Sequence, residues 1–120
     1  MSYVKQHVLK REIKKITDKL GKYTDAQIEK TQNYELKLIL RDIDPALFKK
    51  HFREFDKVKL INEDVGAKGD LMYDLFYELS NRRTLVIGTI PLKNKLKITH
   101  MYVRYRELQR MIKNIARGRR

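Results

Sequence analysis

The stretch that most constrains this chain is Thr84 to Ile90, where Thr84, Val86, Ile87, Thr89 and Ile90 make a β-branched run. Such side chains are stiff at χ1 and pack well on a pleated surface, so the run predicts a strand. Pro91 to Lys95 reads as a loop, and Leu96 to Val103 as an antiparallel return strand with Ile98 and Tyr102 facing inward. Upstream, Asp70 to Leu79 fits two periods. As a helix it buries Met72, Leu75, Phe76 and Leu79; as a strand it puts Leu71, Tyr73, Leu75, Tyr77 and Leu79 on one face. Its aromatic content and the turn residues Ser80-Asn81-Arg82 favour the strand. Lys57 to Asn62 alternates as a further strand, and Val65 to Gly69, with two glycines, is a turn.

The N-terminal half reads as more helical. Met1 to Lys22 predicts a helix, because Leu9, Ile13, Ile16 and Leu20 fall within about 60° of one another on a helical wheel. Ser2 is placed to cap its start and Gly21 to end it. Thr24 to Gln32 predicts a short helix, with Thr24 and Gln27 at capping-box spacing. Tyr34 to Leu40 predicts a strand with Leu36, Leu38 and Leu40 on one face. Asp44-Pro45 marks a helix start, with Phe48, Phe52 and Phe55 as the buried stripe of a helix reaching about Phe55. The C-terminal segment from Arg104 begins as a helix. The fold class expected is α+β, a small single domain over 1–120. It has a mostly antiparallel sheet, N- and C-terminal helices, one helix after the first strand, and the helices on one side of the sheet. Its parts are a helix over 1–22, an α+β core over 34–103, and a basic helix and tail over 104–120.

Composition narrows the function. No apolar run approaches the roughly 18–20 residues of a membrane span, and Met1 to Lys10 lacks the apolar stretch of a secretory signal. Cysteine is absent, which excludes disulfides and thiolate metal sites. The setting expected is cytoplasmic, or the inside of a virion. Lys and Arg number 28 against 15 Asp and Glu, a net charge of +13. The excess is concentrated at the two ends. Residues 1–22 carry net +5, residues 23–80 net −3, and residues 81–120 net +11 with Glu107 as the one acid. Charge segregated in this way points to a polyanion partner.

The C-terminal segment sorts its residues most clearly. With Leu108 at 0°, Met111, Ile112 and Ile115 lie at about 300°, 40° and 340°, forming one apolar stripe. Arg106, Arg110, Lys113 and Arg117 lie at about 160°, 200°, 140° and 180°, directly opposite. Cations so spaced repel one another by a few tenths of a kcal/mol per pair. A polyphosphate partner converts that repulsion into attraction, and Arg can grip a phosphate or a guanine edge with two parallel hydrogen bonds. The sequence therefore predicts a nucleic-acid-binding protein, double-stranded DNA favoured over RNA, of the kind that serves as a small transcription regulator or architectural factor. Its composition suits the small basic regulators of phages and plasmids.

The expected phosphate contacts are Arg106, Arg110, Lys113, Arg117, Arg119 and Arg120. Second come Lys93, Lys95 and Lys97 at the tip of a wing-like hairpin, with Arg82 and Arg83 near the same edge. Third come Lys10, Arg11, Lys14 and Lys15 on the N-terminal helix. Gln109 and Asn114 flank the stripe as base-reading candidates. A homodimer spanning two half-sites is expected of many DNA readers.

Other readings fit parts of the chain. Tyr73, Tyr77, Tyr102 and Tyr105 are the residues with which an RNA-binding or ribosome-associated protein would stack bases, though half-buried sheet packing explains them as well. A protein-interaction module would dock its basic tail on an acidic partner. Asp70, Asp74 and Glu78, with Glu63 and Asp64 nearby, share a face as a metal-dependent nuclease would need, but no Lys or His stands at a catalytic spacing. His7, His51 and His100 are each alone in their segment, and no phosphate-binding glycine loop or acyl-transfer motif occurs. No enzyme activity, cofactor or metal site is expected.

Overall fold

The computed structural model describes residues 5–118. Their core is one six-stranded sheet in the order β1-β3-β4-β5-β6-β2. In chain order the elements are β1 (Lys5–His7), α1 (Lys10–Leu20), β2 (Ile28–Lys30), α2 (Gln32–Leu40), α3 (Ala46–His51), β3 (Val58–Val65), β4 (Leu71–Glu78), β5 (Thr84–Pro91), β6 (Leu96–Arg104) and α4 (Leu108–Gly118). Every neighbouring pair is antiparallel except β2, which runs parallel to β6 at the edge. The protein is α+β with a mostly antiparallel sheet. Among the described residues no helix is long and apolar enough to cross a membrane.

The meander β3 to β6 follows the sequence closely. Its first turn closes where Gly66 N–H donates to the Asp70 carbonyl at 2.8 Å, and Gly69 takes φ +84°, a conformation that glycine adopts without steric cost. The ambiguous segment 70–79 is the strand β4. In a strand, successive side chains face opposite ways, and here both faces are covered. Leu75, Tyr77, Leu85 and Ile87 point into one apolar cluster with Ile13, Ile16 and Leu20 of α1, Tyr34 and Leu38 of α2, and Phe48 of α3. Leu60, Phe76 and Val86 point into a second cluster with Leu108, Met111, Ile112 and Ile115 of α4. The helices therefore do not share one side of the sheet. The first three lie on one face and α4 lies on the other, because α4's apolar stripe is needed to bury what the first three leave bare.

The N-terminal half departs from several expectations. Residues 5–7 form an edge strand paired to β3, so the helix expected over Met1 to Lys22 covers only Lys10–Leu20, and residues 1–22 belong in part to the sheet. Ser2 lies outside the described residues; the helix starts after Leu9 with no side-chain cap and ends at Gly21. Thr24 and Gln27 do form the capping box, but on a single 3₁₀ turn, Asp25–Gln27, that leads into the short strand β2.

Tyr34 to Leu40 is helix α2, not a strand. The Thr31 hydroxyl accepts the Tyr34 N–H at 3.1 Å and so caps the helix start. Tyr34 and Leu38, one turn apart, are the buried pair. Leu36, Ile39 and Leu40 stay 53%, 78% and 73% exposed, so the three leucines do not share a face. The helix after Asp44 does form, with Ala46 N–H donating to the Asp44 carboxylate at 3.0 Å. It stops at His51, and Phe52 and Phe55 pack from the turns that follow, with ring centroids 5.6 Å apart.

Candidate nucleic-acid interface

Helix α4 sits on the sheet by its apolar stripe, with Leu108 fully buried. Consequently Arg110, Lys113 and Arg117 are exposed on the opposite side. The helix begins at Leu108 rather than Arg104. Arg104 ends β6 paired with Thr84, and Arg106 precedes the helix with its carbonyl accepting the Thr84 hydroxyl at 3.4 Å. The exposed Arg106 side chain still joins Arg110 in one cleft. Gln109, one of the two base-reading candidates, is engaged by Glu78 at 3.0 Å. Arg119 and Arg120 lie outside the described residues.

The turn between β4 and β5 delivers two more cations to this end of the sheet. Arg82 lines a cleft of about 460 Å³ with Arg106, Arg110 and Asn114. Arg83 lines a neighbouring cleft of about 600 Å³ with Arg41 and Tyr102. The Arg41 guanidinium stands 5.3 Å from the Tyr102 ring centre. Tyr105, 75% exposed, lines both clefts. Arg41 escapes a reading of the sequence because it lies in the mildly acidic middle of the chain and reaches this end only through the packing of α2 along β6. The Lys and Arg residues in ion pairs among the described residues are Lys14, Arg53, Lys57 and Lys95. Among the described residues the arginines at this end and on α4 therefore have no ion-pair partner.

The other predicted cations are elsewhere. Lys93, Lys95 and Lys97 lie at the far end of the β5–β6 hairpin. Eight strand residues separate that end from Arg82 and Arg83, a distance of about 26 Å at about 3.3 Å per residue. Arg82 and Arg83 are thus not near the same edge as the lysine tip. The tip is also tied down: Tyr23 donates its hydroxyl to the Leu92 carbonyl, Gln27 donates to the Asn94 carbonyl at 3.4 Å, and Lys95 pairs with Glu29 at 3.5 Å. Lys10, Arg11, Lys14 and Lys15 are exposed on α1, on the opposite face of the sheet from α4, with Lys14 paired to Asp18 at 2.9 Å. The two basic ends of the chain form two surfaces, not one.

The tyrosines divide by environment. Tyr73 and Tyr77 are buried in the sheet, and Tyr77 donates to the Phe52 carbonyl at 2.6 Å. Burial pushes both phenols above their ordinary range, with the Glu63 charge adding for Tyr73 and Glu54 for Tyr77. Neither is available to stack on a base. Each histidine has a carboxylate neighbour contributed by the fold. His7 stands 2.9 Å from Glu63 and 3.5 Å from Glu12, His51 bonds Glu54, and His100 stands 3.1 Å from Asp74. The His51 hydrogen bond, with a second from Lys57, holds the Glu54 carboxyl below the usual carboxylate range. Asp74 and Glu78 are thus each committed to a neighbour. Among the described residues no group of three His, Asp or Glu side chains could hold a metal ion.

Comparison with protein-family models, curated proteins and solved structures finds no match.

Chemically, the arrangement is a set of exposed guanidiniums without an ion pair among the described residues, gathered at one end of the sheet and prolonged along α4. From Arg110 to Arg117 the helix advances about 10 Å at 1.5 Å per residue, close to three nucleotide steps of about 3.4 Å along a duplex. It is suited to hold a row of phosphates.

Proposed function

We propose that the protein binds nucleic acid by its phosphate backbone, in the manner of a small DNA-binding regulator or architectural factor. The observation that carries the reading is the exposed line Arg110, Lys113 and Arg117, continued by Arg106 and Arg82, without one carboxylate in partnership among the described residues. Counterion release makes such contacts strongly salt-dependent. A cytoplasmic setting and no catalytic role belong to this reading, and so does a homodimer placing two copies of α4 on successive half-sites. Binding of the full chain to duplex DNA, titrated across a salt series, tests it. The expected result is an affinity that falls steeply and linearly in the logarithm of salt. No binding to duplex or single strand at low salt overturns it.

A second reading, a protein-interaction module, is favoured by one observation. Leu36, Ile39 and Leu40 project from α2 into solvent, and clustered exposed apolar side chains commonly mark protein contacts. A folded protein that ignores nucleic acid at low salt moves the assignment there.

A further inference from the structure

Tyr105 stands between two clefts of different chemistry. On one side Arg82, Arg106 and Arg110 make a cationic cleft in which Glu107 is the one acid. On the other, the larger cleft is lined by two cations and two anions, Arg41, Arg83, Asp42 and Asp44, together with Tyr102 and Leu47. A phosphate suits the first. The second suits an uncharged planar group that donates and accepts hydrogen bonds around its edge. Its volume, about 600 Å³, lies within the usual span of small-ligand sites, about 300–1,000 Å³.

The backbone at Asp42 supports the same assignment. Asp42 N–H donates to the Ile39 carbonyl at 3.2 Å and Ile43 N–H to the Leu38 carbonyl at 3.0 Å, the double bond pattern that closes a helix C-terminus. That position takes φ +51° and is usually glycine. It is the one non-glycine residue with positive φ among the described residues. An aspartate there accepts conformational strain at a residue that lines the cleft.

We propose that this cleft seats an unpaired base of a nucleic-acid strand, with Tyr105 as the stacking platform and the adjoining phosphates on Arg82, Arg106 and Arg110. The proposal rests on the backbone-binding reading and adds a seat for one unpaired base beside the bound phosphates. Arg83, Asp42 and Asp44, which line the cleft, meet the base edge; the Arg41 guanidinium over Tyr102 closes the back of the seat.

The test compares three labelled probes on the full chain: a short mixed-sequence single strand, the same strand with abasic spacers in place of its bases, and a duplex. Stacking of one base is worth a factor of about 5–160 in affinity, so the base-bearing strand is expected to bind tighter than the abasic one by about that factor. Tyr105→Ala is expected to erase that advantage, weakening the base-bearing strand more than the abasic one, and Arg110→Glu to weaken both strands. Equal binding of base-bearing and abasic strands overturns the base seat while the phosphate surface stands. So does an equal loss on both probes in Tyr105→Ala. No binding of any probe at low salt removes the phosphate surface and the seat together.

Discussion

His100 and Asp74 meet across Gly88, the imidazole Nε2 lying 3.1 Å from the carboxylate Oδ1. The three residues are register partners on neighbouring strands, Asp74 opposite Gly88 and Gly88 opposite His100. The pair exists because the strand between them has no side chain there. A Cβ built at Gly88 would stand 2.4 Å from the His100 ring. Gly88→Ala is therefore expected to swing the imidazole away from Asp74 and to destabilise the fold by about 1–3 kcal/mol, the usual cost of overpacking. Urea unfolding measures it; an unchanged midpoint would show that the pair relaxes freely.

Leu108 is the anchor of α4, fully buried against the second apolar cluster. Leu108→Ala is expected to cost about 2–5 kcal/mol, as large-to-small core changes do. Weaker nucleic-acid binding should accompany it, since the cationic line keeps its geometry only while the helix is seated. Thermal unfolding and a binding titration read the two effects together.

The cations of α4, Arg110, Lys113 and Arg117, are exposed and have no ion pair among the described residues. Reversal at Arg110, Lys113 and Arg117 together is expected to change stability by no more than about 0.5 kcal/mol per site, as exposed substitutions usually do. It should also lower the slope of log affinity against log salt by about 0.9 for each phosphate no longer neutralised. A triple variant with the wild-type slope would remove α4 from the interface.

Tyr34 has its ring buried in the core and a hydroxyl with no hydrogen-bond partner among the described residues. Burial, with a smaller effect from Glu35, pushes its phenol up to about 12. A raised acid keeps its proton longer in the folded state. Its contribution is fully present below the ordinary tyrosine value of 10.0 and is lost as pH climbs from there towards about 12. Stability should fall across that window, and Tyr34→Phe should flatten the fall. At neutral pH the same substitution is expected to be neutral or to stabilise by about 1 kcal/mol, because a buried donor without a partner is removed. Chemical unfolding at neutral and alkaline pH checks both.

Ile39, 78% exposed on α2, is expected to tolerate Ile39→Lys with a stability change within about 0.5 kcal/mol. A larger loss, seen in thermal unfolding, would mean that its side chain is covered.

What could be read along the chain was local. The β-branched run, the glycine turn at 66–69 and the meander β3 to β6 all follow from side chains that meet near neighbours in sequence, and so does the two-faced character of α4. The periodicity of α4 already specified which side would hold cations, because a wheel depends on nothing beyond the helix. Tyr34 to Leu40 was not legible in this way. Its alternating leucines suit a strand, but Thr31 caps a helix there, and the core takes Tyr34 and Leu38. The tertiary structure alone decided the face on which α4 lies, the distance of the lysine tip from Arg82 and Arg83, and the meeting of Arg41 with Tyr102. It also decided the carboxylates beside His7 and His100, Glu63 and Asp74. Those contacts join residues that are far apart in sequence, and their partners are chosen by which apolar faces must be buried together. No local period carries that information.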